Sequence, residues 1–250
     1  MGWDGTAARL DSFFFATTTQ QWDASYLKTP MNHWFSHYKM WLACPEQYRL
    51  RRLVGLPFEL ADRVKEKVEE GEAIHQKLAK RLAAVDRFKP GNSKVLQLYH
   101  ERYRKEDEEG GPWRVEETWP SVEIAPDLLI AGKIDAFSPR LGMVRDTKVK
   151  GRRGFLALDV TQLLWYCIVT GGNHAQLDLI YPPSWERSEW GFERLDYRFT
   201  AEQRLSLCAD ICRFNEQVQQ LVAENPTVRN PKSCDFCPYT KQCWDELVVL

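Results

Sequence analysis

Apolar and polar positions follow two different periods along this chain. From about residue 58 to 86 apolar side chains return at helical spacing, Val64, Val68, Ile74, Leu78 and Leu82 among them, which predicts one long amphipathic helix. Gly71 inside that run weakens it locally. Residues 1–35 are polar and aromatic with weak periodicity. Ser36 is placed to cap a helix through about Arg52, Pro45 marks a bend or helix junction within it, and Gly55 and Pro57 punctuate its end. Another helix is predicted over 93–105. The acidic run Glu106-Asp-Glu-Glu109 and Gly110-Gly111-Pro112 then close the helical region, and strand patterns follow. Residues 113–124 read as one strand or two short ones. Residues 128–137 and 141–149 read as a hairpin around Ser138-Pro139-Arg140. A helix is predicted across about 160–170, where Asp159-Val-Thr-Gln162 has capping-box spacing. Strands follow at 174–181, where Ala175, Leu177 and Leu179 alternate with polar neighbours, and at 190–198. Thr200-Ala-Glu-Gln203 repeats the capping-box spacing and opens a helix to about 223, after which Pro226, Pro231 and Pro238 break regularity. No internal repeat is visible.

A chain of 250 residues can bury a full core as one domain, or as one domain with a helical annex. Its 44% apolar and 28% charged content is that of a globular protein. A net charge of −1 argues against a general coat of positive charge but allows a local basic cleft. There is no glycine-rich Walker lysine loop, which speaks against an ATP-driven motor within the chain. With no signal peptide pattern and no 18-residue apolar stretch, the expected location is cytoplasmic, in a bacterium or an infected host cell, with no membrane contact.

Cysteine spacing adds the first candidate chemistry. Cys234-x-x-Cys237-x5-Cys243 closes the chain, and Cys44 lies far upstream beside a proline and an arginine-rich segment. Two thiolates converge from a C-x2-C turn, Cys243 supplies a third and Cys44 is the candidate fourth; four sulfurs suit zinc or a [4Fe-4S] cluster. The plainer alternative is unrelated thiols with a buried Cys44. Cys167, in an apolar run, and Cys208 and Cys212, one helical turn apart, are expected to serve packing.

Carboxylates and a lysine supply the second. Gly132-Lys-Ile-Asp135 lies toward the end of one predicted strand and Asp146-Thr-Lys148 toward the end of the next, with positions 146 and 148 on the same face. Two carboxylates offer hard oxygen ligands to one or two Mg²⁺ or Mn²⁺ ions, and Lys148 beside them can orient a water or offset charge on a phosphate. His75 on the long helix offers an imidazole, which favours Mn²⁺ somewhat. Gln162 and Tyr166 share a helix face that can point into the same cleft. Lys148, Lys150, Arg152 and Arg153 form a basic lip for backbone phosphates, with Arg49, Arg51 and Arg52 as a possible extension. Each residue also has a plain structural reading: Asp135 as a turn residue, Asp146 and Lys148 as a solvated strand end, His75 as a satisfied polar group, Gln162 and Tyr166 as a polar helix edge.

Taken in order, Cys44-Pro-Glu-Gln-Tyr-Arg, Gly71-Glu-Ala-Ile-His75, Gly132-Lys-Ile-Asp135, Asp146-Thr-Lys148, Gln162-Leu-Leu-Trp-Tyr166 and the terminal cysteines resemble the PD-(D/E)XK nuclease superfamily, in its RecB-like branch with an iron–sulfur cluster, which includes CRISPR-associated adaptation exonucleases. The resemblance runs from about Ser36 to Trp244. It implies an α/β, restriction-endonuclease-like core, a mixed central sheet flanked by helices, at about 58–200. A helical iron–sulfur annex would form from about 36–56 and 201–250. It implies His75, Asp135 and Asp146 as metal ligands, Lys148 as the catalytic lysine, Gln162 and Tyr166 as cleft residues, and Cys44, Cys234, Cys237 and Cys243 as ligands of a [4Fe-4S] cluster. The implied activity is metal-dependent DNA exonuclease action on single strands or ends, in recombination, repair or CRISPR adaptation, with a helicase or adaptation protein as a separate partner. Ile134 stands where the name-giving proline would be, and Asp146 replaces the frequent glutamate. Asp159 is followed by Thr161 rather than lysine and does not fit the motif. Glu117 or Glu123 is a candidate further acid. The competing readings are a non-catalytic nucleic-acid-binding module and a zinc-stapled interaction protein.

Overall fold

Both periodicities are realised in the computed structural model, which describes residues 16–17, 31–57, 62–85, 87–151, 154, 156–184, 187–224, 226–227, 230, 232, 234, 237–240 and 243. In chain order the elements are β1 (Ala16–Thr17), β2 (Met31–Trp34), α1 (Phe35–Ala43), α2 (Pro45–Tyr48) continuing into a π-helical turn at Arg49–Leu53, α3 (Asp62–Ala83) and α4 (Lys94–Gly110). Then come β3 (Arg114–Ala125), β4 (Leu128–Ser138), β5 (Met143–Val149), α5 (Ala157–Thr170), β6 (His174–Tyr181), β7 (Gly191–Arg198), α6 (Ala201–Glu224) and β8 (Pro226–Thr227). No helix among the described residues is long and apolar enough to cross a membrane.

The chain divides into two compact units. One comprises Thr29–Phe35 and Leu60–Arg213; the other comprises Met1–Lys28, Ser36–Glu59 and Phe214–Leu250, so the division falls inside α6 rather than at its start.

The larger unit is built on a mixed sheet flanked by helices. β4 gives one edge to antiparallel β3 along its length. Its other edge takes parallel β2 at residues 128–131 and antiparallel β5 at residues 136–138. Between them, residues 132–135 have no strand beside them on that edge among the described residues. β5 pairs in parallel with β6 through the α5 crossover, and β7 closes the sheet antiparallel to β6.

Both faces of β6 are buried. Ala175, Leu177 and Leu179 are fully buried, and Ile180, on the opposite face of β6, packs with Ile74 and Leu78 of α3 and Val95, Leu96, Tyr99 and Tyr103 of α4. Leu82 meets Trp113, Ala136 and Met143. Val64 and Val68 are exposed, so the amphipathic pattern of α3 is core-forming only from Ile74 onward. Gly71 does not interrupt it. Asp159 does not cap α5 but lies in its first turn and pairs with Lys150. The Thr200–Gln203 capping box is made in both directions, Gln203 N–H to Thr200 Oγ1 at 3.1 Å and Thr200 N–H to Gln203 Oε1 at 2.9 Å. The acidic run expected to end α4 belongs to it, because Asp107 turns inward to three arginines, Arg81 (2.5 Å), Arg145 (2.6 Å) and Arg194 (3.1 Å).

In the smaller unit Cys44 adopts an extended backbone (φ −164°) between α1 and α2, with Pro45 at the first helical position, where its missing N–H costs nothing. Leu50, Tyr239 and Cys243 form a small core, and Tyr38, Trp41 and Tyr48 pack edge-on or tilted against Phe214. Arg49 is buried and clamped by Glu46 at 2.8 and 2.5 Å, so it is not part of a surface phosphate track.

Candidate metal centre

Asp135 sits on the stretch of β4 that has lost its neighbour. Continuing the Ala136↔Arg145 register would place Asp135 opposite Asp146, but the ladder stops there and the Thr147 N–H bonds the Asp135 carboxylate instead, at 3.0 Å. The opening lets His75 reach in from α3. His75 Nε2 lies 3.5 Å from Asp135 Oδ2 and also contacts the Thr147 carbonyl oxygen. Across the β3 edge of β4, Glu116 Oε1 is 3.9 Å from His75 Nδ1, and Glu116 Oε2 pairs with Lys133 at 2.5 Å. One donor atom from each of His75, Glu116 and Asp135 lies within 4.8 Å of the others, a spacing that can hold a divalent cation.

Asp146 is fully buried beneath this group. Lys148 donates to Asp146 Oδ1 at 3.0 Å and lies 2.8 Å from Oδ2, yet Oδ2 receives no aligned hydrogen bond. A fully buried carboxylate still has lone pairs to offer beside one ammonium, and a cation can take them. Burial first, and the Asp146 carboxylate second, push Asp135 up to about 7 against the opposing pull of His75, Lys148 and the Thr147 N–H. For Lys148, burial favours the neutral amine, but the Asp146 and Asp135 carboxylates outweigh it and hold the ammonium charged above its ordinary range.

α5 covers the cleft. Trp165 anchors it by donating Nε1–H to the Ala131 carbonyl at 2.9 Å, and Gly132 leaves room for the Tyr166 ring. Gln162 donates to the Tyr166 hydroxyl at 2.6 Å, so its amide is engaged with that tyrosine rather than with Lys148. The Tyr166 hydroxyl is held protonated, first by burial and then by Asp146 and Asp135. The expected basic lip is largely neutralised where it is described: Lys148 pairs with Asp146 and Lys150 with Asp159, while Arg152 and Arg153 lie outside the described residues.

In the smaller unit Cys44, Cys234, Cys237 and Cys243 line one small cavity together with Glu46, Leu50, Asn230 and Thr240. The Asn230 N–H points at Cys44 Sγ at 3.5 Å, and Cys234 Sγ faces the Asn230 carbonyl at 3.8 Å. Cys167 is buried against the His174 carbonyl, and its burial pushes the thiol up to about 12, as befits a packing residue.

No family model matches this chain, and no curated protein matches it. The crystal structure of SSO0001 aligns over 86% of this chain and 89% of its own, at 14% identity and a TM-score of 0.49. A phage-related exonuclease from Haemophilus somnus 129PT aligns over 69% of this chain and 94% of its own, at 13% identity and a TM-score of 0.30. The functional reading therefore rests on the side chains.

The structure brings His75, Asp135, Asp146, Lys148, Gln162 and Tyr166 to one cleft region and places the four cysteines around one cavity. The residue that sequence reasoning missed is Glu116. Of the two acids expected in its place, Glu117 bonds Arg114 at 2.6 Å and Glu123 accepts from the Asp127 N–H at 3.3 Å. A usable signal was pairing arithmetic, since the β3–β4 register sets Glu116 opposite Asp135.

Proposed function

We propose that the protein is a metal-dependent nuclease that hydrolyses phosphodiester bonds of DNA, acting on single strands or ends. The observation that carries the reading is that His75 and Asp135 converge at 3.5 Å beside the open stretch of β4, with the buried Asp146–Lys148 pair on β5. His75, Asp135 and Asp146 are the residues that would hold Mg²⁺ or Mn²⁺, and the imidazole tilts the choice toward Mn²⁺. A divalent ion there supplies Lewis-acid polarisation of a phosphate and a water of lowered pKa. Lys148 holds its ammonium against Asp146 and presents a positive charge to a phosphate entering the cleft. Tyr166, kept protonated, donates rather than accepts, and Gln162 fixes its hydroxyl. The preference for DNA, and for ends, is carried by the motif resemblance.

The four-cysteine cavity supports a [4Fe-4S] cluster as a structural staple of the smaller unit. The choice of a cluster over a single zinc ion is carried by the motif resemblance.

The test is a time course on end-labelled linear and circular DNA, single- and double-stranded, in Mg²⁺, Mn²⁺ or EDTA. Cleavage is expected with metal only, and Asp146→Ala and Lys148→Ala are each expected to slow it by about 10²-fold or more. Activity that survives both substitutions, or DNA binding with no products in any metal, removes the reading.

A further inference from the structure

Glu116 has a backbone that its place in a strand does not explain. Its φ is +52°, the left-handed region, although the register is regular on either side of it, Val115 opposite Ala136 and Glu117 opposite Ile134. Side chains larger than glycine rarely take that conformation, and where they do the surroundings impose it, often at a functional site. The consequence is visible in the neighbours. In a regular strand Arg114 and Glu117 would point to opposite faces; here Arg114 bonds Glu117 at 2.6 Å and lies 4.4 Å over the Trp119 ring. The twist at residue 116 thus breaks the alternation of β3 and sends one carboxylate toward α3 while its neighbour stays outside with Arg114.

That carboxylate meets a specific atom. Glu116 Oε1 faces His75 Nδ1 at 3.9 Å, while Nε2 of the same ring lies 3.5 Å from Asp135 Oδ2 and donates to the Thr147 carbonyl, so in the empty site the ring proton sits on Nε2. The two ring nitrogens have different tasks: only one can hold a given ion, and the bond made by the other decides which. Lys133, at 2.5 Å from Glu116 Oε2, holds the carboxylate in place. The 3.9 Å gap is about 1 Å beyond a hydrogen bond, and such contacts commonly tighten once the site is loaded.

We infer that Glu116 is a positioning residue for His75: when a divalent cation takes Nε2 beside Asp135, the ring proton moves from Nε2 to Nδ1 and the Glu116 carboxylate accepts the hydrogen bond from it. Glu116 is therefore not itself a ligand, although its distance alone would permit it. The inference rests on the metal-site part of the proposed function and needs no nucleic acid.

The experiment uses the full chain and no nuclease assay. Mn²⁺ affinity is measured by electron paramagnetic resonance for the wild type, Glu116→Gln, Glu116→Leu and Lys133→Ala, with thermal melts to establish folding. Gln keeps an acceptor oxygen at the same place, so its affinity is expected within about threefold of wild type, whereas Leu is expected to lose about 10- to 100-fold. In ¹⁵N-histidine spectra of the Zn²⁺-loaded protein, with Zn²⁺ as a diamagnetic probe, His75 is expected to carry the ion on Nε2 and the proton on Nδ1. Ion binding through Nδ1, an equal loss in Gln and Leu, no loss in either, or a wild type that binds no Mn²⁺ each overturns the inference. Should Leu fail to fold, Gln and the ¹⁵N assignment still decide it. Intact metal affinities with no DNA cleavage would remove the proposed function and leave this inference standing.

Discussion

Asp135 is the residue whose chemistry is most exposed to experiment without substrate. Its carboxyl is pushed from 3.8 up to about 7 by burial and by Asp146. Between those values the native protein holds a proton that the unfolded chain has released. The stability of the metal-free protein therefore falls as pH rises through about 4 to 7 and stays lower above it. Asp135→Asn removes that dependence. In thermal melts with EDTA the variant is expected to match wild type near pH 4.5. At pH 8 it should be more stable by about 1–2 kcal/mol, the full linkage being reduced for a side chain 22% exposed. The substitution stabilises only the empty protein. With Mn²⁺ present the order should reverse, because the wild type gains binding free energy that the amide cannot match. A variant that tracks wild type at every pH would show that Asp135 titrates normally.

At the level of elements, the cleft depends on how closely α5 lies on β4. A Cβ at Gly132 would stand 3.1 Å from Cδ1 and 3.2 Å from Cε1 of Tyr166, a ring that is itself buried. Gly132→Ala would gain about 0.5–1 kcal/mol from reduced chain entropy. Displacing a packed ring costs about 1–3 kcal/mol. The net expectation is a loss of about 1 kcal/mol in urea unfolding, with Tyr166 shifted relative to Asp146 and any cleavage activity reduced several-fold; an unchanged midpoint would mean that the helix has room. Elements of this kind were the legible part of the sequence. β6 was readable over 174–181 because its alternation is uninterrupted, and the start of α6 because Thr200 and Gln203 cap it through local bonds. The end of α4 was misread because charge suggested solvent, while Asp107 is buried by partners more than thirty residues away in β5 and β7. β2 escaped because four residues carry too little pattern. Around the candidate metal centre, Asp135, Asp146 and Lys148 were singled out from their strand positions and the motif resemblance. Glu116 was not, since it stands out only once the β3–β4 register sets it opposite Asp135.

Two polar constructions hold the molecule at the largest scale, one in each unit. In the larger, Asp107 of α4 bridges Arg81 of α3, Arg145 of β5 and Arg194 of β7, and Asp178 of β6 bonds Arg194 at 2.7 and 2.8 Å. Asp107→Ala would take from buried Arg81 its ion pair and leave Arg145 and Arg194 to Asp178, and a loss of about 3–5 kcal/mol is expected in urea unfolding. In the smaller, the proposed cluster would join Cys44 to a tail roughly 190 residues later in the chain. Closing so long a loop contributes at most about 5 kcal/mol by the chain-entropy relation, which assumes an unstrained native state. That tail is also held by Tyr239 to the Leu56 carbonyl at 3.2 Å, Asn230 to the Ala43 carbonyl at 2.9 Å, and the small core around Leu50. Cys44→Ser should therefore bleach the iron–sulfur absorption near 400 nm and expose the C-terminal segment to proteolysis. Cys208→Ser, a substitution of a half-buried thiol on α6, should do neither. Iron and sulfide content, absorbance and limited proteolysis on the same preparations separate the cases. Colourless wild-type protein with stoichiometric zinc would replace the cluster by a single ion. Retained colour in Cys44→Ser would mean that the fourth ligand comes from elsewhere, and the tail would then owe its attachment to Tyr239 and Asn230.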